Sequence, residues 1–277
     1  TEPESVTLRW LGVSGLTLQH RDAVLALDPF VTRPPLQRLF AGRVEPDEAL
    51  ATRLLPHCQA ILITHAHFDH FMDAPGIARR TGALICGTPN TCALALALGV
   101  PQHQVRVVAS GERLALPPFE IEVWPGDHPW IPGFAPGPLP VRLATPPRLR
   151  DYRMDGCLSY FVHLAGWRVL AYHAQRVVAL PRADVLCLSM AQPAAFYEQV
   201  LQQVRPRLVI PLHWDDMFRP LDKPMRPFWA PPHRNALLLR RLSLGDFETL
   251  LAGLAPQVRV LAPQPLQEYD LSALCTA

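Results

Sequence analysis

The sequence lacks any candidate membrane span and any recognisable secretion signal. No stretch approaches the roughly 18 consecutive apolar residues that a transmembrane helix requires. The start of the chain shows no charged segment followed by an apolar core, which is the pattern of a signal peptide. These absences predict a cytoplasmic protein, while the first residue, Thr1, leaves a removed leader open.

A strong excess of charge of either sign is also missing. Lys and Arg total 26 and Asp and Glu total 24, so the formal net charge is only +2. The basic clusters are short, as at Arg148, Arg150 and Arg153, and no dense run could follow a phosphate backbone. We therefore expect a small-molecule substrate and no nucleic-acid partner, and homo-oligomer formation stays open.

Closely spaced cysteine pairs are absent as well. The six cysteines are widely spread, form no CxxC pair and mostly lie in apolar runs such as ALICG and DVLCLSM. A thiol in such a run behaves as a small hydrophobic side chain. The even count permits disulfides, but buried free thiols are the better prediction for a core-rich chain of this length.

The sequence does contain enough apolar material for one large core. It has 277 residues, of which 49% are hydrophobic, and a chain of this size buries most of its apolar surface. Two blocks of strand patterns, each followed by helical patterns, run along the chain. They predict an α/β (α+β) fold with two sheets packed face to face and helices outside. A single domain over residues 1–277 is the simplest organisation.

Local patterns predict where individual elements lie. Helical patterns cover residues 69–80, Thr91–Leu98 and Asn235–Leu251. The segment Pro129–Pro147 contains seven prolines and two glycines, a proline density that no helix or strand interior tolerates. That segment is therefore predicted to be a long loop.

Four candidate metal ligands lie directly after a buried apolar strand predicted over residues 59–64. They belong to the segment ILITHAHFDHFMD and are His65, His67, Asp69 and His70. On extended backbone, positions i and i+2 share a side, so His65 and His67 can converge on one ion. The following turn into a helix can direct Asp69 and His70 at an adjacent point. Imidazole and carboxylate together suit zinc, manganese or iron.

The segment HAHFDH resembles the HxHxDH signature of the metallo-β-lactamase superfamily. The opening LRWLGVSGLTLQHRDAVLALDPF is similar to the first strands of that family, which end in Asp-Pro beside the metal pocket. Near the end, LVIPLHWDDMF resembles the segment that carries the last ligand histidine in one branch. That branch includes L-ascorbate 6-phosphate lactonase and N-acyl-phosphatidylethanolamine phospholipase D. The resemblance implies a four-layer αββα sandwich with the metals at one edge of two mixed sheets.

The resemblance also implies two sets of ligands. His65, His67 and a later histidine would hold the first metal, and His128, in EVWPGDHPW, is the expected third ligand. Asp127 and His163 stay open as alternatives to His128. The second metal would be held by a further set, namely Asp69, His70 and His213. Zinc is the expected cofactor, as one or two ions, and Mn²⁺ or Fe²⁺ stay open.

The sequence departs from the family where most members carry an aspartate that bridges the two metals. That aspartate belongs to a Gly-Asp-Thr/Ser triplet after a strand, and Tyr172-His173-Ala174 stands in its place. A neutral imidazole does not normally bridge two ions, so we predict a weaker second metal or a mononuclear site. His173 is an uncertain ligand, and Asp184, at the start of a predicted strand, is the alternative carboxylate.

Further roles follow from the resemblance and from general mechanism. Asp69 is the expected general acid/base. Asp28 is expected to orient ligand histidines by hydrogen bonding, with a plain turn residue before Pro29 as the alternative. The Pro-rich loop is expected to lie near the site and cover it. Three aromatic side chains are candidate substrate contacts: Trp130, Phe134 and Trp214.

These features predict a metal-dependent hydrolase that uses metal-activated water on a small ester, lactone or phosphoester. A phosphodiesterase acting on lipid and a catalytically degenerate metal-binding protein are the alternatives. A di-iron oxygen-reducing protein is disfavoured, because such members usually carry Glu where this chain has His67. The superfamily name describes a fold, so it does not support β-lactamase activity.

Overall fold

A computed structural model of the protein describes residues 4–40, 42, 44–128, 136–139, 143, 147–230 and 240–275. In this part of the chain, two seven-stranded sheets account for most of the regular structure. The first sheet has the strand order β16-β1-β2-β3-β4-β5-β6. Its strands are β1 (Thr7–Gly12), β2 (Gly15–His20), β3 (Ala23–Leu27), β4 (Ala60–Leu62), β5 (Leu84–Gly87), β6 (Val105–Val107) and β16 (Glu268–Asp270).

The second sheet has the order β15-β12-β11-β10-β9-β8-β7. Its strands are β7 (Arg113–Leu116), β8 (Phe119–Pro125), β9 (Leu158–Leu164), β10 (Trp167–Tyr172), β11 (Val185–Ser189), β12 (Leu208–Leu212) and β15 (Arg259–Val260). Both sheets are mixed. In the first, β16 to β3 pair antiparallel and β3 to β6 pair parallel. In the second, β7 to β10 pair antiparallel and β10 to β15 pair parallel.

Eight α-helices lie in the described residues, most of them in the connections between strands. They are α1 (Leu36–Phe40), α2 (Glu48–Leu54), α3 (Phe68–Phe71), α4 (Ala74–Thr81), α5 (Pro89–Ala97), α6 (Ala194–Val204), α7 (Leu244–Leu254) and α8 (Leu271–Cys275). A small hairpin pairs β13 (Trp229–Ala230) with β14 (Arg240–Arg241). In the described part of the chain, no helix has the length and apolar character that crossing a membrane requires.

Alternating side chains explain why the central strands are buried on both faces. The buried side chains form two hydrophobic clusters, one between the two sheets and one between the first sheet and its helices. In β3, Leu25 and Leu27 belong to the cluster between the sheets, whereas Ala26 belongs to the cluster on the helical side. In β4, Leu62 points inward and Ile61 points to the helical side. A strand has a side-chain period of two, so one apolar run supplies both layers. The predicted arrangement of two face-to-face sheets with helices outside is confirmed.

Several predicted boundaries need correction. The helix predicted over residues 69–80 is two helices, α3 and α4, separated by Met72 and Asp73. The late helix predicted over Asn235–Leu251 begins only at Leu244, because the Ser243 side chain accepts a hydrogen bond from the Asp246 N–H and caps it there. Residues 231–239 lie outside the described part. Sequence patterns also missed β16, which pairs with β1 from the far end of the chain.

All six cysteines are unpaired, as predicted. Four of them are buried and two are partly buried. Most of the Pro-rich segment lies outside the described residues, including Trp130 and Phe134.

Candidate metal centre

Most of the candidate ligands follow the carboxyl ends of strands. β4 leads to His65 and His67, β8 to His128 and β12 to His213. β10 and β12 run parallel to each other through β11, so their carboxyl ends meet at the same edge of the second sheet. In α/β proteins such an edge is where polar side chains from different strands come together.

The first set of candidate ligands is His65, His67 and His128. One ligand atom from each lies within 4.8 Å of the others. The Nε2 atom of His65 is 3.0 Å from the Nδ1 atom of His67. The ring centroid of His128 is 4.5 Å from that of His65 and 4.8 Å from that of His67. The structure thus brings together the three imidazoles expected at the first metal.

The protonation state of the first set suits a bound cation. Burial and the neighbouring imidazoles hold the pKa of His65 well below its ordinary value. Burial lowers the pKa of His67 to about 3, despite the opposing effect of the Asp69 carboxylate. Both rings are therefore neutral near pH 7. A neutral imidazole is the form that binds a metal.

The second set of candidate ligands is Asp69, His70 and His213, whose ligand atoms also lie within 4.8 Å of one another. The Oδ2 atom of Asp69 is 3.2 Å from His213 Nε2 and 3.6 Å from His70 Nε2. Burial raises the pKa of Asp69, but the neighbouring histidines outweigh burial and hold the pKa below its ordinary value. The residue is a carboxylate, the form that binds a metal.

Asp28 forms hydrogen bonds with both His70 and Thr64. Its Oδ2 atom is 2.7 Å from His70 Nδ1, and its Oδ1 and Oδ2 atoms accept hydrogen bonds from the Thr64 N–H and hydroxyl, both at 2.7 Å. Burial lowers the pKa of His70, but Asp28 and Asp69 reverse the effect and raise it overall. Asp28 is fully buried with a left-handed φ of 41°, so it is a turn residue as well as a hydrogen-bond partner.

The donor atoms of the site fit one or two divalent ions. The Nε2 atom of His70 is buried and has no hydrogen-bond partner among the described residues. A buried polar atom without a partner is costly, and a metal ion is one group that satisfies it. Three imidazoles in one set, and two imidazoles with a carboxylate in the other, are ligand sets that zinc, manganese and iron accept.

His173 does not join either set. Its Nε2 atom is 3.0 Å from Ser14 Oγ and 3.9 Å from Asp28 Oδ2. With Asp28 and His70 it forms a third group whose ligand atoms lie within 4.8 Å of one another and could hold a metal ion. Burial lowers the pKa of His173 to about 3, although Asp28 raises it, so the ring is neutral. A neutral ring bound to a hydroxyl does not supply the charge of a bridging carboxylate.

The alternative residues at the site have other partners. Asp127 forms an ion pair with Arg176 at 3.1 Å. His163 lies on β9 with its Nε2 atom 3.7 Å from Glu122. The third alternative, Asp184, holds the Arg168 guanidinium through both carboxylate oxygens. These contacts favour His128 over Asp127 and His163 as the third ligand of the first set.

Trp214 is 5% exposed, and its ring stacks on Trp10 with centroids 5.4 Å apart. This environment favours a packing role over the substrate contact expected from sequence. The other two candidate contacts, Trp130 and Phe134, lie outside the described residues.

Sequence reasoning missed the residues that support the ligands. Ser14 contacts His173, and Thr64 lies between Asp28 and the ring of His65. Asp73 accepts hydrogen bonds from backbone N–H groups just after the Asp28 turn. Closeness to the ligand motif in sequence is a usable signal for Thr64 and Asp73, whereas nothing in the sequence marks Ser14.

Two mixed sheets packed face to face, with helices on the outer faces and His/Asp ligand sets at one edge, define a protein of the metallo-β-lactamase fold. A family model described as "Beta-lactamase superfamily domain" matches residues 7–213. The chain belongs to this family.

Known proteins similar to this chain agree with that assignment. A UPF0173 metal-dependent hydrolase of Pyrobaculum calidifontis is 27% identical over 209 residues, covering 75% of this chain and 84% of that protein. The structure of Igni18, a metallo hydrolase from Ignicoccus hospitalis, matches with a TM-score of 0.62 at 17% identity and covers 96% of this chain and 98% of that one.

A third similar structure is CmlA, a diiron β-hydroxylase from Streptomyces venezuelae. It matches with a TM-score of 0.58 at 13% identity and covers 98% of this chain but 54% of that chain. At such identities the two structures show the fold alone. Family and ligand sets together make this chain a metal-dependent hydrolase of the metallo-β-lactamase superfamily.

Proposed function

We propose that this hydrolase cleaves a small ester, lactone or phosphoester with metal-activated water. The observation that carries the proposal is the convergence of His65, His67 and His128 beside the deprotonated Asp69. The substrate classes follow from the branch of the family that LVIPLHWDDMF resembles. Zinc, as one or two ions, is the proposed cofactor, and Asp69, His70 and His213 would hold the second, weaker ion.

A divalent ion held by these residues would lower the pKa of a coordinated water towards about 7 and polarise the scissile group. Asp69 is the proton-handling residue of the site. The neighbouring histidines keep it ionised at neutral pH, so it can accept a hydrogen bond from the attacking water, orient that water and relay its proton. The same carboxyl group can then return that proton to the leaving group.

Asp28 and Thr64 would set the orientation of the ligands. Because Asp28 accepts a hydrogen bond from Nδ1 of His70, Nε2 is the ring nitrogen left to bind a metal beside Asp69. The Thr64 hydroxyl lies 3.0 Å from Nδ1 of His65 and holds that ring in a similar way. Removal of either partner should weaken metal binding more than it weakens folding.

The deciding experiment combines elemental analysis with activity on a panel of lactones and aryl phosphoesters. The purified protein is supplied with zinc, manganese or iron, and metal content and turnover are measured on the same samples. We expect at least one ion per chain and hydrolysis of one substrate class. A preparation that stays ion-free under all three metals would contradict the proposal.

Two variants sharpen this experiment. His67→Gln removes a ligand of the first set and should lower activity by more than about 100-fold, since even outer partners of ligands are worth about 10- to 100-fold. His103→Gln is the matched control, because His103 is an exposed histidine in a short helical turn. Equal losses in the two variants would mean that the assignment of the first set is wrong.

The structure also offers an observation in favour of a degenerate metal-binding protein. His173 stands where the family carries its bridging carboxylate and contacts Ser14 instead. If catalysis were lost with that carboxylate, the protein would bind metal and yet hydrolyse no member of the panel. Metal content and turnover measured together therefore separate the two functions.

A further inference from the structure

A buried ion pair lies beside the second set of ligands. Nη1 of Arg33 is 3.1 Å from Oδ2 of Asp215, and the two side chains are 2% and 0% exposed. Arg33 follows the turn that carries Asp28, and Asp215 comes two residues after His213. Buried charges lose their hydration, so a fully buried pair of this kind contributes little to net stability compared with apolar side chains of similar size. Its presence next to the site therefore calls for another explanation.

Asp215 is connected to the backbone of His213 through Val13. Its second oxygen, Oδ1, accepts a hydrogen bond from the Val13 N–H at 2.9 Å. The Val13 carbonyl in turn accepts one from the His213 N–H at 2.9 Å. His213 and Val13 both have left-handed φ angles, 56° and 49°. Such angles are unfavourable for residues other than glycine and persist only when the surroundings enforce them.

The guanidinium of Arg33 is closely enclosed. It lies over the Phe30 ring, with Cζ 5.2 Å from the ring centroid. A Cβ atom at Gly12 would lie 1.5 Å from Nη2 of Arg33, so the guanidinium fits only because residue 12 has no side chain. Gly12 also has a φ of 87°, which favours glycine for a second reason. One ion pair therefore joins three segments: the turn at residues 12–15, the segment after Asp28 and the segment after β12.

We propose that Arg33 and Asp215 are positioning residues that hold His213 in the orientation required for the second ligand set. The chain of contacts runs from Arg33 to Asp215, then through Val13 to the backbone of His213. Nε2 of His213 then faces the Asp69 carboxylate at 3.2 Å. The proposal rests on the proposed function only in taking this set as a metal site.

The test uses the double variant Arg33→Met/Asp215→Asn. It removes both charges together, and the Asn oxygen still accepts the Val13 hydrogen bond. The matched control is Arg168→Met/Asp184→Asn, which removes an ion pair of 2.9 Å from the second sheet. For each protein we would measure zinc binding by competition titration, the ¹⁵N shifts of the His213 ring by NMR, and unfolding in urea.

We expect the double variant to fold and to keep the affinity of the first ion. Its affinity for the second ion should fall by about 10- to 100-fold, as for other outer partners of metal ligands. The His213 ring resonances should broaden and shift towards those of an exposed histidine. The control variant should show none of these changes. Unchanged His213 resonances, or the same changes in the control, would overturn the proposal.

A second variant covers the case in which the double variant does not fold. Arg33→Lys keeps the charge but loses the planar fork of donors. We therefore expect it to displace His213, and to lower the affinity for the second ion, by less than the double variant does. The NMR readout is also made on metal-free protein. A protein that binds no metal at all would refute the proposed function, whereas the His213 resonances would still decide whether the ion pair positions that ring.

Discussion

At the scale of single residues, the most informative position is His173. The resemblance to the superfamily implies a bridging aspartate at this point, and the chain has an imidazole whose pKa burial lowers to about 3. A neutral ring leaves two divalent ions, if both are bound, without a shared negative charge between them. Mutual repulsion of the ions is then less compensated, which is why the second site is expected to be weak.

The variant His173→Asp tests this interpretation directly. It introduces a carboxylate at the carboxyl end of β10, so we expect the metal content to rise towards two ions per chain. His173→Asn is the control, because Asn has nearly the same size as Asp but no charge. Metal content is measured by elemental analysis after dialysis against zinc. An equal effect of both variants, or no effect of either, would mean that charge at this position does not limit the second ion.

At the scale of elements, the end of β8 decides where His128 lies. Gly126 follows β8 and donates a hydrogen bond from its N–H to the Cys157 carbonyl at 3.0 Å. The next N–H, that of Asp127, donates a hydrogen bond to the His173 carbonyl at 2.9 Å. The strand end is therefore fastened to the start of β9 and to the end of β10 just before His128. This close approach of three backbones requires glycine.

Gly126→Ala should disturb the proposed first metal site through the backbone. An added Cβ would lie 2.7 Å from the His173 carbonyl oxygen and 2.8 Å from backbone atoms of Cys157 and Leu158. Backbone cannot move aside as a side chain can, so we expect a loss of about 1–3 kcal/mol of stability and weaker zinc binding. Urea unfolding and a zinc titration measure the two effects.

Gly245→Ala is the matched control for that variant. Gly245 lies in α7, and nothing approaches its added Cβ within 4 Å. Alanine favours helix by about 1 kcal/mol over glycine, so this variant should be neutral or slightly more stable. If Gly126→Ala behaved in the same way, the close approach at β8 would not position His128.

At the scale of the whole molecule, several neutral imidazoles are buried at the site. Burial places the pKa of His65, His67 and His173 well below 6.5. Between pH 6.5 and about 3, an unfolded chain takes up protons on these rings and the folded chain does not. The free energy of unfolding of the metal-free protein should therefore fall as the pH falls. His70 opposes this trend. Its pKa is raised in the folded protein, so its contribution to the free energy of unfolding is present at low pH and is lost as the pH rises.

Urea unfolding of chelator-treated protein at pH 7.5 and pH 5.5 measures the effect. A histidine with a pKa of 6.5 when unfolded and about 3 when folded contributes about 1.4 kcal/mol to the difference between these two pH values. We expect His67→Gln to reduce the pH dependence by about that amount, because it removes one such ring. The same pH dependence in this variant and the parent would show that His67 does not stay neutral when folded.

Much of the architecture could be predicted from local patterns. Alternating apolar residues indicated the strands, as in β3 and β4, because a period of two separates the two faces of a sheet. The candidate ligands of HAHFDH could be found because they are close in sequence. By contrast, β16 is short, with only three residues, and pairs with β1 across nearly the whole chain, so no local pattern indicates it.

The sequence by itself indicated the candidate ligands of HAHFDH and the two-sheet fold, because spacing and hydrophobic period are local properties of the chain. His128 and His213 were predicted through resemblance to a family, since each stands alone after its strand. Only the tertiary structure decided the contact of His173 with Ser14 and the pairing of Arg33 with Asp215. These contacts join segments far apart in sequence, and burial in a shared interior, which determines their strength, exists only after the chain has folded.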